Sequence, residues 1–347
     1  MNDAFLIALE SDRLVQLLFM AFSGFALSML LTPIYTTFAY RQKWWKKPRT
    51  DATTGEKAKI FTQLHALKHR RNIPTMAGLI FVISVAVVTL SLNFSREQTW
   101  LPLAAFLGAG FVGLIDDVIN LRGSGNGTGG LSAKLKLGLI TLVALIGGLF
   151  FYYKLDYNSI QVPGIGDLGI GLLIIPLFVL VVLSTANAVN ISDGLDGLAG
   201  GLASSAFGVY AIIAFTQGRF GIAGFCLTIV GALLSYTWFN IYPARFFMGD
   251  VGSFALGTAL GVVAMITDTV LLLPIIGAVF VVEAGSSLIQ ILSKKFRGRK
   301  VFKVAPIHHH FEASGWPETK VTMRFWIMGQ VSAFVGLIIY IIGNYHV

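Results

Sequence analysis

Asn187–Gly201 reads NAVNISDGLDGLAGG, a run rich in Asn, Asp and Gly set between two apolar stretches, 171–186 and 198–216, that approach the ~20 residues needed to span a bilayer. Lipid does not tolerate such polarity without a use. The segment sets two expectations together: the chain crosses a membrane, and chemistry sits at one of the crossings.

The rest of the sequence extends the first expectation. Hydrophobic residues make up 55% of the chain and charged ones only 12%, with a mean hydropathy of +0.74, too little polar surface for a water-soluble fold of this length. Apolar windows occur at 14–38, 75–92, 100–115, 135–153, 171–186, 198–216, 220–239, 253–266, 270–292 and 321–342. They predict an all-α polytopic protein of about ten transmembrane helices, one membrane domain over 1–347 without internal repeats. The first window is too long for a removable signal peptide and lacks a small-residue cleavage site after a basic start, so it is expected to be retained. The single cysteine, Cys226, falls within the seventh window, which excludes an intrachain disulfide and a cysteine-rich metal site.

Basic residues predict orientation, because Lys and Arg accumulate in cytoplasmic loops. Residues 41–74 carry ten of them and 294–324 eight more, 18 of the 26 in the chain. Both loops follow odd-numbered windows, as do the segments holding Asp116, Asp193 and Asp250. Both termini are then expected outside, in an inner (cytoplasmic) membrane, with the polar clusters and the active site on the cytoplasmic face. Topology and attraction to anionic headgroups account for the net charge of +9 without nucleic-acid binding. The same loops can steer an anionic substrate.

Four clusters carry the chemistry: Gly113–Asp117 (GLIDD), Asn187–Gly201, Phe247–Ser253 (FMGDVGS) and Ala305–Glu312 (APIHHHFE). Asn187, Asn190, Asp193 and Asp196 recur every three residues, and on a straight helix the drift puts the first and last on opposite faces. Convergence requires a break, which Gly194 and Gly197 permit; a plain N-cap would need only one acid. Asp250 sits beside Gly249 just before a helix, where backbone N–H groups favour phosphate. An acid there repels phosphate unless a cation lies between, which points to Mg²⁺. Asp116 and Asp117 diverge by about 100° on a helix and take different roles. Consecutive His308, His309 and His310 splay too far for a zinc site and suit hydrogen bonding to substrate. Glu283 lies in the middle of the ninth window, where a charge is either functional or held as a packed, hydrogen-bonded group.

These motifs together resemble the polyprenyl-phosphate sugar-1-phosphate transferases over nearly the whole chain. Pro306–Glu312, with Gly315-Trp316, Arg324-Phe325-Trp326 and Pro74-Thr75-Met76, resembles the phospho-N-acetylmuramoyl-pentapeptide transferase branch. The resemblance implies transfer of phospho-MurNAc-pentapeptide from UDP-MurNAc-pentapeptide to undecaprenyl phosphate at the bilayer surface, giving lipid I and UMP, with Mg²⁺ as cofactor; a homodimer is left open. It implies catalytic roles for Asp116, Asp117 and Asp250. Asp250 would bind the metal with Asn190 as second ligand. Substrate contacts would come from Arg70, Thr75, Lys136, Asn187, Asn190, Asp193, Asp196 and His308–His310. The chain departs from the family at Asn120 and Arg70, where Lys is common, and at Ala77, where a second Gly is usual; Arg122 is a candidate to restore the missing charge. A sibling enzyme using UDP-GlcNAc differs mainly in the histidine loop, and a secondary transporter would place its ionisable groups near the midplane, where only Glu283 lies.

Overall fold

The computed structural model describes residues 3–45, 72–123 and 130–345. Arg70 and most of the first basic loop lie outside the described residues.

Among the described residues, ten long helices match the ten apolar windows: α1 (Asp3–Arg41), α2 (Gly78–Leu92), α3 (Trp100–Arg122), α4 (Ala133–Tyr153), α5 (Ile174–Ser192), α6 (Leu198–Thr216), α7 (Phe220–Asn240), α8 (Gly249–Ile266), α10 (Ala278–Arg297) and α12 (Glu318–Tyr345), with short α9 (Leu273–Ile276) and α11 (Ile307–Glu312) between the last three. Eight are long and apolar enough to cross a membrane, and the protein is an all-α, polytopic membrane protein. The other two long helices are α2, of only 15 residues, and α10, which is amphipathic in an inverted sense. Glu283, Ser286, Gln290 and Ser293 of α10 are buried, while Val282, Leu288, Ile289 and Leu292 face outward.

The ninth window does not run as one helix. Pro274 lacks an N–H and opens α9, which ends after one turn at Gly277. The polar stripe of α10 then organises the chain that follows it. Gln290 accepts from the N–H groups of Val301 and Phe302 at 3.0 Å each, Ser293 donates to the Arg299 carbonyl at 2.9 Å, and Ser286 accepts from Ile307 N–H at 3.0 Å. The loop is thereby folded back along α10, which carries α11 to Glu283.

α8 occupies the centre, with 94% of its apolar window buried, and packs against α2, α3, α5 and α6. Between apolar helices in lipid there is little hydrophobic drive, so close van der Waals packing of small residues sets the crossings. Gly78 of α2 and Gly252 of α8 meet backbone to backbone, leaving no room for a Cβ on either. One addition to the helical expectation is a hairpin of β1 (Ser159–Val162) and β2 (Gly166–Gly169), antiparallel in the register Val162–Gly166. Its Pro163-Gly164 turn, with Gly164 at φ +74°, is the signal that could have announced it.

Helix directions alternate, so the bundle has two distinct ends. The C-termini of α3, α5 and α7 and the N-termini of α2, α4, α6, α8 and α12 share one, with all four polar clusters; this is the aspartate end. The hairpin, the α6–α7 turn and the α8–α9 connection lie at the other.

Candidate active site

The site begins where α3 crosses α8. A Cβ at Gly113 would overlap the backbone of Asp250, so the last turns of α3 lie directly on the first turn of α8. Asp117, fully buried, accepts from Val251 N–H at 3.1 Å and satisfies one of the open donors of that helix start. Asp116, rotated by one residue, faces another way. It accepts from Leu131 N–H at 2.7 Å and from Lys136 Nζ at 2.9 Å. The same Lys136 ammonium reaches Asp250 at 2.6 Å and sits 5.5 Å from the centre of the Phe254 ring.

Carboxylate oxygens of Asp116, Asp117 and Asp250 all lie within 4.8 Å of one another. Lys136 is one ammonium beside three acids among the described residues, and the oxygen-only donor set suits a hard dication such as Mg²⁺. Asn190 borders this group: its amide donates to Asp250 Oδ1 at 3.2 Å and to Ser253 Oγ at 2.8 Å. In that orientation it presents N–H groups, and the amide must turn over to present its oxygen.

The predicted break in the Asn/Asp ladder lies between α5 and α6, and its two glycines have different reasons. Gly197 adopts φ +78°, a left-handed conformation that favours glycine, and its N–H is accepted by Asn240 at 3.0 Å. Gly194 is needed for space, because the His308 ring lies where a Cβ would be. The ladder is thereby split three ways. Asn187 is exposed and donates to the Leu183 carbonyl at 2.8 Å, Asp193 is half-buried at the end of α5, and Asp196 is buried with its carboxylate accepting from Ala244 N–H at 3.0 Å. Asp196 thus anchors the loop leading to Phe247–Asp250, while its own N–H is held by Glu318 at 2.7 Å.

Thr75 is buried beside the same loop. Its carbonyl accepts from the Tyr35 hydroxyl at 2.5 Å, and the flanking chain pairs with it, Phe247 N–H to Pro74 O at 2.8 Å and Ala77 N–H to Phe247 O at 3.0 Å. Ala77 has φ −66°, so this backbone does not demand a glycine there. Arg122 is exposed in the last turn of α3.

The three histidines take three different partners. His308 is fully buried with Nδ1 2.7 Å from Glu283, His309 Nδ1 is 2.7 Å from Glu312, and His310 Nδ1 accepts from Lys303 N–H at 3.1 Å. His308 and His309 rings are 4.1 Å apart. Burial, aided by His308, pulls the His309 pKa down to about 4 against the pull of Glu312, so its ring is neutral at pH 7. Glu283 is thereby placed: it is the buried partner that orients His308 against Gly194.

Sequence reasoning did not find the roles of Gly113, Gly194, Ser253, Asn240 and Glu318. Gly113 carried a signal, a small residue one turn before an acidic pair near a membrane edge; Asn240 and Glu318 act across long sequence separations and carried none.

Residues 99–268 match glycosyl transferase family 4, a span that holds all three clustered aspartates, Lys136 and the Asn/Asp ladder. The chain is 39% identical over 334 residues to a phospho-N-acetylmuramoyl-pentapeptide-transferase of Chloroflexus aurantiacus, covering 92% of this chain and 88% of that protein. It is 38% identical to the proteins of the same name from Anoxybacillus flavithermus and Bacillus subtilis, in each case over 93% of this chain and 97% of the relative. Identity of that extent runs past the matched core to the histidine loop, and on it the chain belongs to the phospho-N-acetylmuramoyl-pentapeptide-transferase family.

Proposed function

We propose that the chain transfers phospho-MurNAc-pentapeptide from UDP-MurNAc-pentapeptide to undecaprenyl phosphate, producing lipid I and UMP. The observation that carries the reading is the Asp116–Lys136–Asp250 cluster, with an apolar groove that reaches to within one helical turn of Asn190 beside it. That groove, about 620 Å³ between α5, α8, α9 and α10, is lined by Leu183, Asn187, Leu260, Phe280 and Leu288 among others. Asn187 lines it, and Asn190, one turn along the same helix, bonds Asp250. A long apolar tail laid in the groove therefore brings its phosphate to the carboxylates and the ammonium.

Asp116, Asp117 and Asp250 are the residues fitted to hold Mg²⁺, which when bound would neutralise phosphate charge and stabilise the departing UMP. Asn190 is in place to orient Asp250, and with its amide turned to add an oxygen. Lys136 supplies a cation that can follow phosphate oxygens as they approach. Asp116 orients the acceptor rather than deprotonating it, because a phosphate monoester with a second pKa near 6 is already mostly a dianion at pH 7. Thr75, Arg70, Asp193 and the histidines are assigned to the soluble substrate, with His309 acting as a neutral hydrogen-bonding ring. Asp196 is assigned there through the loop it anchors. The bond formed is a diphosphate like the bond broken, so the exchange with UMP runs readily in reverse. The active site is assigned to the cytoplasmic face, with both termini outside.

The test is UMP release by purified protein given Mg²⁺, undecaprenyl phosphate and either UDP-MurNAc-pentapeptide or UDP-GlcNAc. Release from the muramoyl donor alone is expected. Release from UDP-GlcNAc alone would reassign the donor and the histidine loop with it.

A further inference from the structure

At the end opposite the aspartates, the hairpin, the α6–α7 turn, the α8–α9 connection and the last turns of α12 enclose a pocket of about 660 Å³. The length of α6 alone separates it from the aspartate cluster by about 27 Å at 1.5 Å per residue. It brings together charged groups of both signs, Arg219 with Asp268 and Asp167. Arg219 donates through Nη1 to the Tyr157 hydroxyl and the Ile266 carbonyl, and among the described residues it makes no ion pair. Asp268 accepts from Gln161 N–H at 2.9 Å. Burial and the nearby Asp167 charge raise its pKa, against the opposing pull of the Gln161 N–H and the Arg219 charge. Gln217 gives its amide N–H to the Thr267 carbonyl at 2.8 Å, while its Oε1 is buried without a donor among the described residues.

The lining therefore offers two carboxylates to a donor and a guanidinium to an anion. Its rim is apolar. Ile341 lines the pocket and belongs to an outward-facing row on α12 with Val335, Ile338 and Ile342, and the hairpin carries Ile165, 82% exposed, and Leu168, 54% exposed. A polar pocket with an apolar rim at the edge of a membrane fits an amphiphile's headgroup better than a freely soluble ion.

We propose that this pocket binds the headgroup of a phospholipid carrying a primary amine, with the ammonium toward Asp268 and Asp167, the phosphate toward Arg219, and the acyl chains along α12. A primary ammonium offers three N–H donors. A trimethylammonium offers none, and an anionic glycerol headgroup brings only neutral hydroxyl donors, without a positive charge for the carboxylates.

The experiment titrates the purified full chain in detergent, by native mass spectrometry, with phosphatidylethanolamine, phosphatidylcholine, phosphatidylglycerol and soluble phosphoethanolamine. Phosphatidylethanolamine is expected to bind about tenfold more tightly than the other two lipids, as loss of charge-assisted hydrogen bonds implies. Asp268→Asn and Asp167→Asn should each remove most of that preference. Asp167 is exposed on the hairpin, so its replacement does not endanger folding. Asp116→Asn should bind the lipid as the parent does; a loss there would move the lipid to the aspartate end and overturn the assignment. Equal binding of phosphatidylcholine would also overturn it. Soluble phosphoethanolamine binding as tightly as the lipid would keep the ammonium and phosphate recognition and overturn the lipid source.

Discussion

At the level of single side chains, Asp116 and Asp117 show how one residue of rotation separates two jobs. Asp117 holds the start of α8 while Asp116 faces Leu131 and Lys136, so they are expected to respond differently to substitution. Asp116→Asn is expected to cut kcat/KM by about 10²–10³, the range for removing one electrostatic group from a site, with the shape of the pH–rate profile between pH 6 and 9 unchanged. A profile that loses its acidic limb would restore a general-base role. Glu283→Leu removes the partner of a fully buried imidazole, and leaving a buried polar group unsatisfied costs about 1–3 kcal/mol; thermal unfolding in detergent should show it, and an unaltered midpoint would mean that the pair contributes nothing. His309 gives a pH dependence with a definite sign. Its folded-state pKa of about 4 lies below the ordinary 6.5, so folding favours the neutral ring. Its contribution is constant above about 6.5 and is lost as pH falls from there toward 4. The fall in unfolding temperature between pH 7 and 5 should be smaller in His309→Gln than in the parent, and identical slopes would refute the assignment.

Among the elements, the ten apolar windows were legible because burial in lipid demands long apolar runs, whatever the tertiary contacts. Their ends were less legible. Asp116, Asp117, Asn187 and Asn190 fall beyond the windows yet inside α3 and α5, because a helix satisfies its backbone whether or not its side chains are apolar. The ninth window failed as a single span for the opposite reason: Val, Leu and Ile hid the effect of Pro274 and Gly277. Gly194→Ala tests the element-level packing. A methyl there collides with His308, and displacing a well-packed ring costs about 1–3 kcal/mol. The 299–312 loop should become more sensitive to limited proteolysis while the rest of the bundle does not; unchanged cleavage would show that the loop is held without His308.

For the whole molecule, alternation of helix direction gathers the four clusters at one end, and the basic loops are the ground on which we propose that this end faces the cytoplasm. With Cys226 replaced, Ile165→Cys on the hairpin should react with an impermeant maleimide in intact cells. Lys303→Cys in the returning loop should react only after permeabilisation. The reverse pattern would invert the protein and move its active site outside.

The sequence by itself determined that the chain is a bundle of membrane helices and which family it resembles, and it named Asp116, Asp250, Asn190 and the histidine segment as the candidates for its chemistry. Those properties are local: hydrophobic length, residue type and short spacing. Tertiary structure alone decided that Lys136 joins Asp116 to Asp250, that Glu283 belongs to His308, and that Asp196 anchors a loop through Ala244. It also decided that Gly194 is small for a ring more than a hundred positions away in the sequence. Each of these depends on which helices cross and how closely, and in lipid that is set by contacts between small residues whose identity names no partner.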